Sequence, residues 1–310
     1  MFACDSMILT KNTVAHFTVD VPCCLVSHVT MSCLKLLSRV VSPEIHDHSG
    51  NSTKNLHDLT YGITSDPLTQ FSVLFAGMIH DVDHPGVPNT QLATENHELS
   101  VLYKNRSSAE QNSVDVAWSL LMEDAYTDLR RIIYTTQDEL RRFRQLVVNA
   151  VMATDIMDKE LGQARKARWN KAFATATTDR NDTTEDINRK ATIVIEHLIQ
   201  ASDVAHTMQH WHVFHRWNER LFREAYLAYK TGRAPKDPTD GWYQGEIGFF
   251  DFYVIPLAKK LKDCGVFGVS SDECLSYAER NREEWVTRGR EVVEEYVEKL
   301  KAESQHVSEP

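Results

Sequence analysis

Asp66-Pro67-Leu68 opens, and His80-Asp81-Val82-Asp83-His84-Pro85-Gly86 closes, the stretch whose reading decides the fold. Asp66 is a helix-capping residue, and Pro67 suits a first helical turn, where its missing N–H would have had no partner. The run from Leu68 to His80 is predominantly apolar, and Pro85-Gly86 forbids its continuation as a helix. A histidine and an aspartate are therefore expected side by side at a helix C-terminus, facing whatever the helix faces.

Helical signals extend outward from this segment in both directions. Val29, Cys33, Leu36, Leu37 and Val40 are spaced three or four apart and form one apolar face. Ile187, Ala191, Val194, Ile195, Leu198 and Ser202 trace a second helix ending near Asp203. Leu275, Trp285, Val292, Tyr296 and Leu300 trace a long last one. Ser107 with Glu110, Thr136 with Glu139, and Ser270 with Glu273 have capping-box spacing. Residues 177–185 and 230–241 read as loops, and strand-like alternation is absent beyond a few residues. The expected class is all-α, a compact multi-helix domain.

Composition agrees with that class and excludes several functions. The chain has 310 residues, 42% hydrophobic, with only 12 Gly and 9 Pro. That is enough apolar material for a substantial core and too little turn chemistry for a sheet-rich one. A formal net charge of −10 argues against a general binder of nucleic acid or anionic membranes. An anionic small substrate is still compatible, because a bound cation reverses the local potential. The six cysteines (Cys4, Cys23, Cys24, Cys33, Cys264 and Cys274) lack paired CxxC spacing and read as reduced thiols. Neither a signal peptide nor a membrane-spanning run is visible, so a cytoplasmic location is expected.

The chemistry begins with charge. A carboxylate at a helix C-terminus opposes the macrodipole, so Asp81 and Asp203 both stand where a metal cation would repair the electrostatics. One histidine with two aspartates suits Zn²⁺, Mn²⁺ or Fe²⁺, with a harder ion such as Mg²⁺ sharing a carboxylate. An isolated His-Asp pair would more simply be a core histidine beside a turn aspartate; Asp83, His84 and Asp203 weaken that alternative. His80 and His84 also have zinc-protease spacing, but Asp follows His80 and Pro85 stops the helix that motif requires.

The segment from Ala76 to Val87, with His80-Asp81-Val82-Asp83-His84-Pro85-Gly86 at its centre, resembles the signature of the class I cyclic-nucleotide phosphodiesterases, an HD-type helical family. Further similarities follow in order: residues 27–32, Ala153-Thr154-Asp155, Ala201-Ser202-Asp203, and Glu246-Ile247-Gly248-Phe249-Phe250-Asp251-Phe252. The resemblance covers roughly residues 26–300. It implies a phosphodiesterase-like catalytic domain over 26–303, preceded by a divergent segment over 1–25 and followed by a short polar tail from Ser304.

By the resemblance, His80, Asp81 and Asp203 are metal ligands, and Asp81 bridges two divalent metals, Zn with Mg or Mn. Water activated by the pair opens the 3′ ester of cAMP or cGMP to give a 5′-monophosphate. His84 and Glu110 take catalytic positions beside the metals, and Phe249 stacks on the purine. Glu246 stands where well-known members carry Gln, and His206 where many carry Asn. A carboxylate only accepts hydrogen bonds, which suits a guanine edge, so the choice between cAMP and cGMP stays open.

The chain departs from the family upstream. The family's His-Asn-x-x-His motif, holding a general acid and a zinc ligand, falls on Val21 and Leu25, which can do neither job. His16 resembles a shifted version at the wrong spacing. Either the start of the chain replaces the proper one, or the domain is a catalytically impaired module that binds nucleotide or a partner. A longer gene product, fused to a cyclase or regulatory domain, is also compatible. A third class, HD-type hydrolysis of nucleotide 5′-phosphates, is disfavoured by the nucleotide-clamp similarity at Glu246 to Phe252.

Overall fold

The computed structural model describes residues 20–40, 59–173 and 183–306, and among these the chain is helical with no strand. In chain order the helices are α1 (Asp20–Arg39), α2 (Pro67–Ile79), α3 (Asn89–Glu95), α4 (His97–Leu102), α5 (Ser108–Leu121), α6 (Thr127–Ile133), α7 (Gln137–Thr154) and α8 (Lys159–Phe173). They continue with α9 (Thr184–Asp203), α10 (Trp211–Lys230), α11 (Trp242–Phe249), α12 (Ile255–Asp263) and α13 (Glu273–His306). No helix among the described residues is long and apolar enough to cross a membrane.

Helix α2 forms as its sequence predicts. Asp66 caps it, accepting from Leu68 N–H at 3.1 Å, and Pro67 occupies the first turn. Its apolar surface packs mainly against α7 and α1, with α9 and α5 beside them. The α1 face of Val29, Cys33, Leu36, Leu37 and Val40 is buried in this junction. Phe143 of α7 is enclosed by Phe71, Phe75, Trp118 and Tyr134, with ring centroids 5.5 to 6.2 Å apart. Burial of such a ring contributes about 1.5–3 kcal/mol.

Helix α9 runs through the interior, with every residue from Ile193 to Ser202 buried. Its polar members have partners, as burial demands. The His197 ring nitrogen Nδ1 lies 2.7 Å from Ile193 O, Arg168 donates to Glu196 at 2.9 Å, and Gln200 donates to Ala153 O at 2.8 Å. Two helices thus bring their C-termini, at His80-Asp81 and at Asp203, into one place.

The capping signals divide. Thr136 and Glu139 form the expected box. Ser107 and Glu110 do not: Ser107 is left-handed at φ 40°, and the Glu110 carboxylate is engaged by Asn89 instead. Ser270 and Glu273 do not either, because α13 starts only at Glu273, whose carboxylate pairs with Arg39. An unforeseen box, Thr183 with Asp186, opens α9 inside the stretch expected to be loop. Helix α13 continues to His306, past the point where the sequence suggests a tail.

Between α11 and α12 lies a π-helical turn, Phe250–Val254, with Ile255 N–H bonded to Phe250 O. Pro256 follows, and proline can neither donate to the carbonyl four residues back nor tolerate it close by. The wide turn absorbs both conflicts and keeps the helix continuous. It carries Phe249 and Tyr253 as a stacked pair with centroids 5.3 Å apart.

The α1–α2 crossing sets a tight limit. A Cβ on Gly77 would lie 2.8 Å from Cys33 Sγ and 3.7 Å from Ile199. Gly77→Ala should therefore destabilise the domain by about 1–3 kcal/mol through overpacking. Cys33→Ala should restore much of that loss in the double variant, measured by urea or thermal unfolding. Additive losses would show that the crowding lies elsewhere.

Candidate metal and nucleotide site

His80 sits at the C-cap of α2, where its backbone N–H bonds Ala76 O and its ring is 1% exposed. Nδ1 lies 3.0 Å from Gly77 O, the partner that would fix the proton on that nitrogen. Nε2 is then directed between two carboxylates, 3.3 Å from Asp81 Oδ2 and 3.4 Å from Asp203 Oδ1. Neither contact has hydrogen-bond geometry, and Nε2 is a buried polar atom without a partner.

These spacings fit a cation. Zinc–ligand bonds of about 2.0–2.1 Å in a tetrahedron put neighbouring ligand atoms about 3.3–3.4 Å apart. The donor set of one imidazole and two carboxylates is borderline to hard, and the orphaned Nε2 supplies the lone pair. Among the described residues no group of three or more His, Cys, Asp or Glu side chains is arranged to hold a metal ion. His80, Asp81 and Asp203 provide one imidazole nitrogen with two carboxylate oxygens 3.3 and 3.4 Å from it.

Without a cation the cluster holds a proton. Burial disfavours a charged His80 ring, but the carboxylates of Asp203 and Asp81 outweigh it and hold its pKa well above the usual imidazole value. Burial pushes the Asp81 carboxyl up, and the adjacent His80 ring, with His84 nearby, holds it below its ordinary value. Proton and metal therefore compete for the same nitrogen.

Around the cluster lies a second tier. The ordered turn after α2 puts Asp83 in the left-handed region at φ 60°, with its carboxylate accepting from Asn112 at 3.0 Å. His84 is exposed, and its Nδ1 accepts Gly86 N–H at 3.2 Å. Its charge acts on Asp81, Glu110 and Glu224, so it stands among carboxylates. Asn89 ties the tier together: its amide donates to Glu110 Oε2 at 2.9 Å and to Asp155 Oδ2 at 3.4 Å, while its oxygen accepts Ala109 N–H at 2.9 Å. Burial raises the pKa of Glu110, with the charge of Asp155 adding to it. Burial likewise raises Glu224, and Asp81 adds to it.

The residues expected at the nucleotide end are held separately. Glu246 is buried, and burial pushes its carboxyl up to about 7 against a hydrogen bond from Asn218. Trp242 Nε1 donates to Asn218 Oδ1 at 3.0 Å, which turns the Asn218 amide nitrogen toward Glu246. Phe249 lies against Tyr253, whose buried hydroxyl has no partner. His206 packs against His28 and Trp217, with centroids 6.4 and 6.3 Å away. Its buried Nδ1 is unpartnered, and burial, with the charge of His28, pulls its pKa down to about 3.

The fold thus brings His80, Asp81 and Asp203 together directly, with His84 and Glu110 in the surrounding tier. Glu246, Phe249 and His206 are not joined to the cluster by any hydrogen bond or ion pair. The spacing of motifs did not reveal Asn89, Asn218 or Glu224, and Asp155 was visible only within a similar segment. Val21 and Leu25 lie on α1, and His16 lies outside the described residues.

Zinc uptake should accordingly displace protons. Near pH 6.5, the ordinary imidazole value, binding should release about one proton per ion, and affinity should rise with pH up to the raised pKa of His80. Calorimetry in buffers of different ionisation heat measures this release. Asp203→Asn should weaken binding, and absence of proton release would contradict the shared position.

The model of the 3′,5′-cyclic nucleotide phosphodiesterase family matches residues 26–267. A dual specificity calcium/calmodulin-dependent 3′,5′-cyclic nucleotide phosphodiesterase 1C of Mus musculus is 28% identical over 228 residues, covering 70% of this chain and 30% of the relative. A probable 3′,5′-cyclic-AMP phosphodiesterase of Caenorhabditis elegans is 25% identical over 261 residues, covering 78% of this chain and 36% of the relative. The chain thus matches only about a third of the length of these curated relatives. The match spans most of the chain, including both helix ends that carry His80, Asp81 and Asp203, and the chain belongs to the 3′,5′-cyclic nucleotide phosphodiesterase family.

Proposed function

We propose that the chain hydrolyses 3′,5′-cyclic nucleotides to 5′-monophosphates, using divalent metals held by His80, Asp81 and Asp203. The observation that carries this reading is the orphaned His80 Nε2 set between two carboxylates at spacings of 3.3 and 3.4 Å. When bound, the metals would supply Lewis acidity and a water nucleophile at neutral pH.

The chain's own groups do the rest. Asp81 and Asp203 would hold cations whose charge offsets the local carboxylates, so that an anionic phosphate can approach a site in an otherwise acidic protein. His84, with Nδ1 accepting from Gly86 N–H, orients polar groups near the phosphate. Glu110, fixed by Asn89, positions water on the side facing Asp155. Phe249, backed by Tyr253, offers a ring face to the purine, and His206 offers a neutral imidazole nitrogen.

A second reading has its own observation. Val21 and Leu25 stand where the resembled family places a general acid and a zinc ligand. Loss of a general acid typically lowers rate about 10²–10⁴-fold, so the chain could bind nucleotide without appreciable turnover. Assaying purified protein for metal content and for hydrolysis of cAMP and cGMP separates the two. Turnover that falls at least about 100-fold in Asp203→Ala supports the enzyme. Nucleotide binding with no hydrolysis supports the binding module, and hydrolysis unchanged in Asp203→Ala overturns the metal-site assignment.

Glu246 adds a pH dependence. One carboxyl oxygen accepts from Asn218, so in the neutral acid the proton sits on the other oxygen and can donate to adenine N1 or guanine O6. Above its pKa of about 7 the group only accepts, which suits guanine N–H and repels adenine N1. Raising pH through that value should shift the kcat/KM ratio from cAMP toward cGMP. Glu246→Gln should flatten the ratio across pH; a ratio equally pH-dependent in the variant would rule Glu246 out as its source.

A further inference from the structure

A cleft that none of His80, Asp81 and Asp203 lines lies elsewhere on the molecule. It has a volume of about 360 Å³ and lies between the start of α5, the second half of α7 and the start of α8. That volume is within the ordinary range of small-molecule sites, about 300–1,000 Å³. Its floor is aliphatic, made by Val114, Val148, Met152 and Leu161.

The polar groups of the cleft are unevenly satisfied. Its three carboxylates all have internal partners: Asp115 accepts from Tyr103 at 2.9 Å, Asp158 accepts Leu161 N–H at 2.9 Å, and Glu160 pairs with Arg106 at 3.2 Å. Arg144 has no such partner. Its guanidinium lies over the Trp118 ring at 5.2 Å, with no carboxylate in ion-pair range among the described residues. Ser107 also lines the cleft, is 3% exposed, and has a hydroxyl with no hydrogen-bond partner.

Ser107 owes that orphaned hydroxyl to its backbone. It occupies the N-cap position of the 14-residue helix α5 but is left-handed at φ 40°, so its side chain does not cap the helix. A non-glycine residue in that region is uncommon and costs about 1 kcal/mol or more. The positive end of the α5 dipole, the free hydroxyl and the Arg144 guanidinium all favour an anion. The aliphatic floor favours an apolar body.

We propose that this cleft is a second small-molecule site, taking a compact apolar acid of one or two rings. The body rests on Val114, Val148 and Leu161, and the carboxylate, sulfonate or phosphate-ester head is held by Arg144 and Ser107. The site stands independently of the reaction at the metal cluster. Its walls nonetheless carry that cluster's outer tier, since Glu110 lies one turn beyond Ser107 and Asp155 lies between Met152 and Asp158. Asn89 joins the same two acids from the other side. An occupant therefore braces both ends of the Glu110–Asn89–Asp155 bridge.

The test uses the full chain and the bicyclic probe 1-anilinonaphthalene-8-sulfonate, followed by fluorescence and by amide hydrogen exchange. A single saturable site is expected, with affinity at least tenfold weaker in Arg144→Glu and binding abolished in the cleft-filling variant Val148→Trp. Saturation should slow exchange within residues 106–115 and 148–161. Arg144 is exposed, so its variant decides the matter even where Val148→Trp fails to fold. Absence of saturable binding, affinity unchanged in Arg144→Glu, or protection confined to residues 242–254 would overturn the proposal.

Discussion

Two helix C-termini aimed at one buried imidazole nitrogen form the constraint on which the rest of this structure depends. Helix ends of that polarity repel carboxylates, yet α2 and α9 each deliver one, Asp81 and Asp203, to His80 Nε2. Such an arrangement is held together only if the helices cannot move apart. The α1–α2–α9 junction provides that rigidity: Gly77 leaves no room for a Cβ between Cys33 and Ile199, and α9 is buried on all sides from Ile193 to Ser202. The packing tolerates an electrostatic conflict that a cation, or in its absence a proton on His80, resolves.

The outer tier extends the same logic. Glu110, Asp155 and Glu224 add further carboxylates around Asp81, and burial raises the pKa of Glu110 and Glu224. His84 stands beside Asp81, Glu110 and Glu224 alike, and in its protonated form would lower the pKa of each. Burial favours the neutral form of the Glu110 and Glu224 carboxyls, which lessens the repulsion among these groups.

Much of the fold could be read from local pattern because local physics decides it. Apolar periodicity located α1 and α9, and the Asp66-Pro67 signal located the start of α2. Caps were legible only where no distant group competed. Thr136 and Glu139 form their box, whereas Asn89 takes the carboxylate of Glu110 and Arg39 that of Glu273. The Thr183–Asp186 box departs from the usual signature because its N3 residue is Asp rather than Glu or Gln. At the site, the His80-Asp81 pair was visible as a motif. Asn89, Asn218 and Glu224 were not, because their roles arise from approaches across 21 or more residues for Asn89 to Glu110 and 24 for Asn218 to Trp242. Nothing in spacing along the chain encodes such meetings.

The upstream departure separates fold from chemistry. Helix α1 is docked by Val29, Cys33, Leu36, Leu37 and Val40, all of which lie beyond Val21 and Leu25 in the chain. The residues that make the family's fold are thus different from those that would donate a proton or complete a zinc shell. By the resemblance, the two upstream positions bear on the proton donor and the metal shell. What changes is the coordination offered to a cation at His80, Asp81 and Asp203, where three protein donors face an incomplete shell. An open shell binds more weakly but leaves more positions for water and substrate. On the proposed reading, the question for this chain is the metal affinity of three side chains held by the ends of α2 and α9.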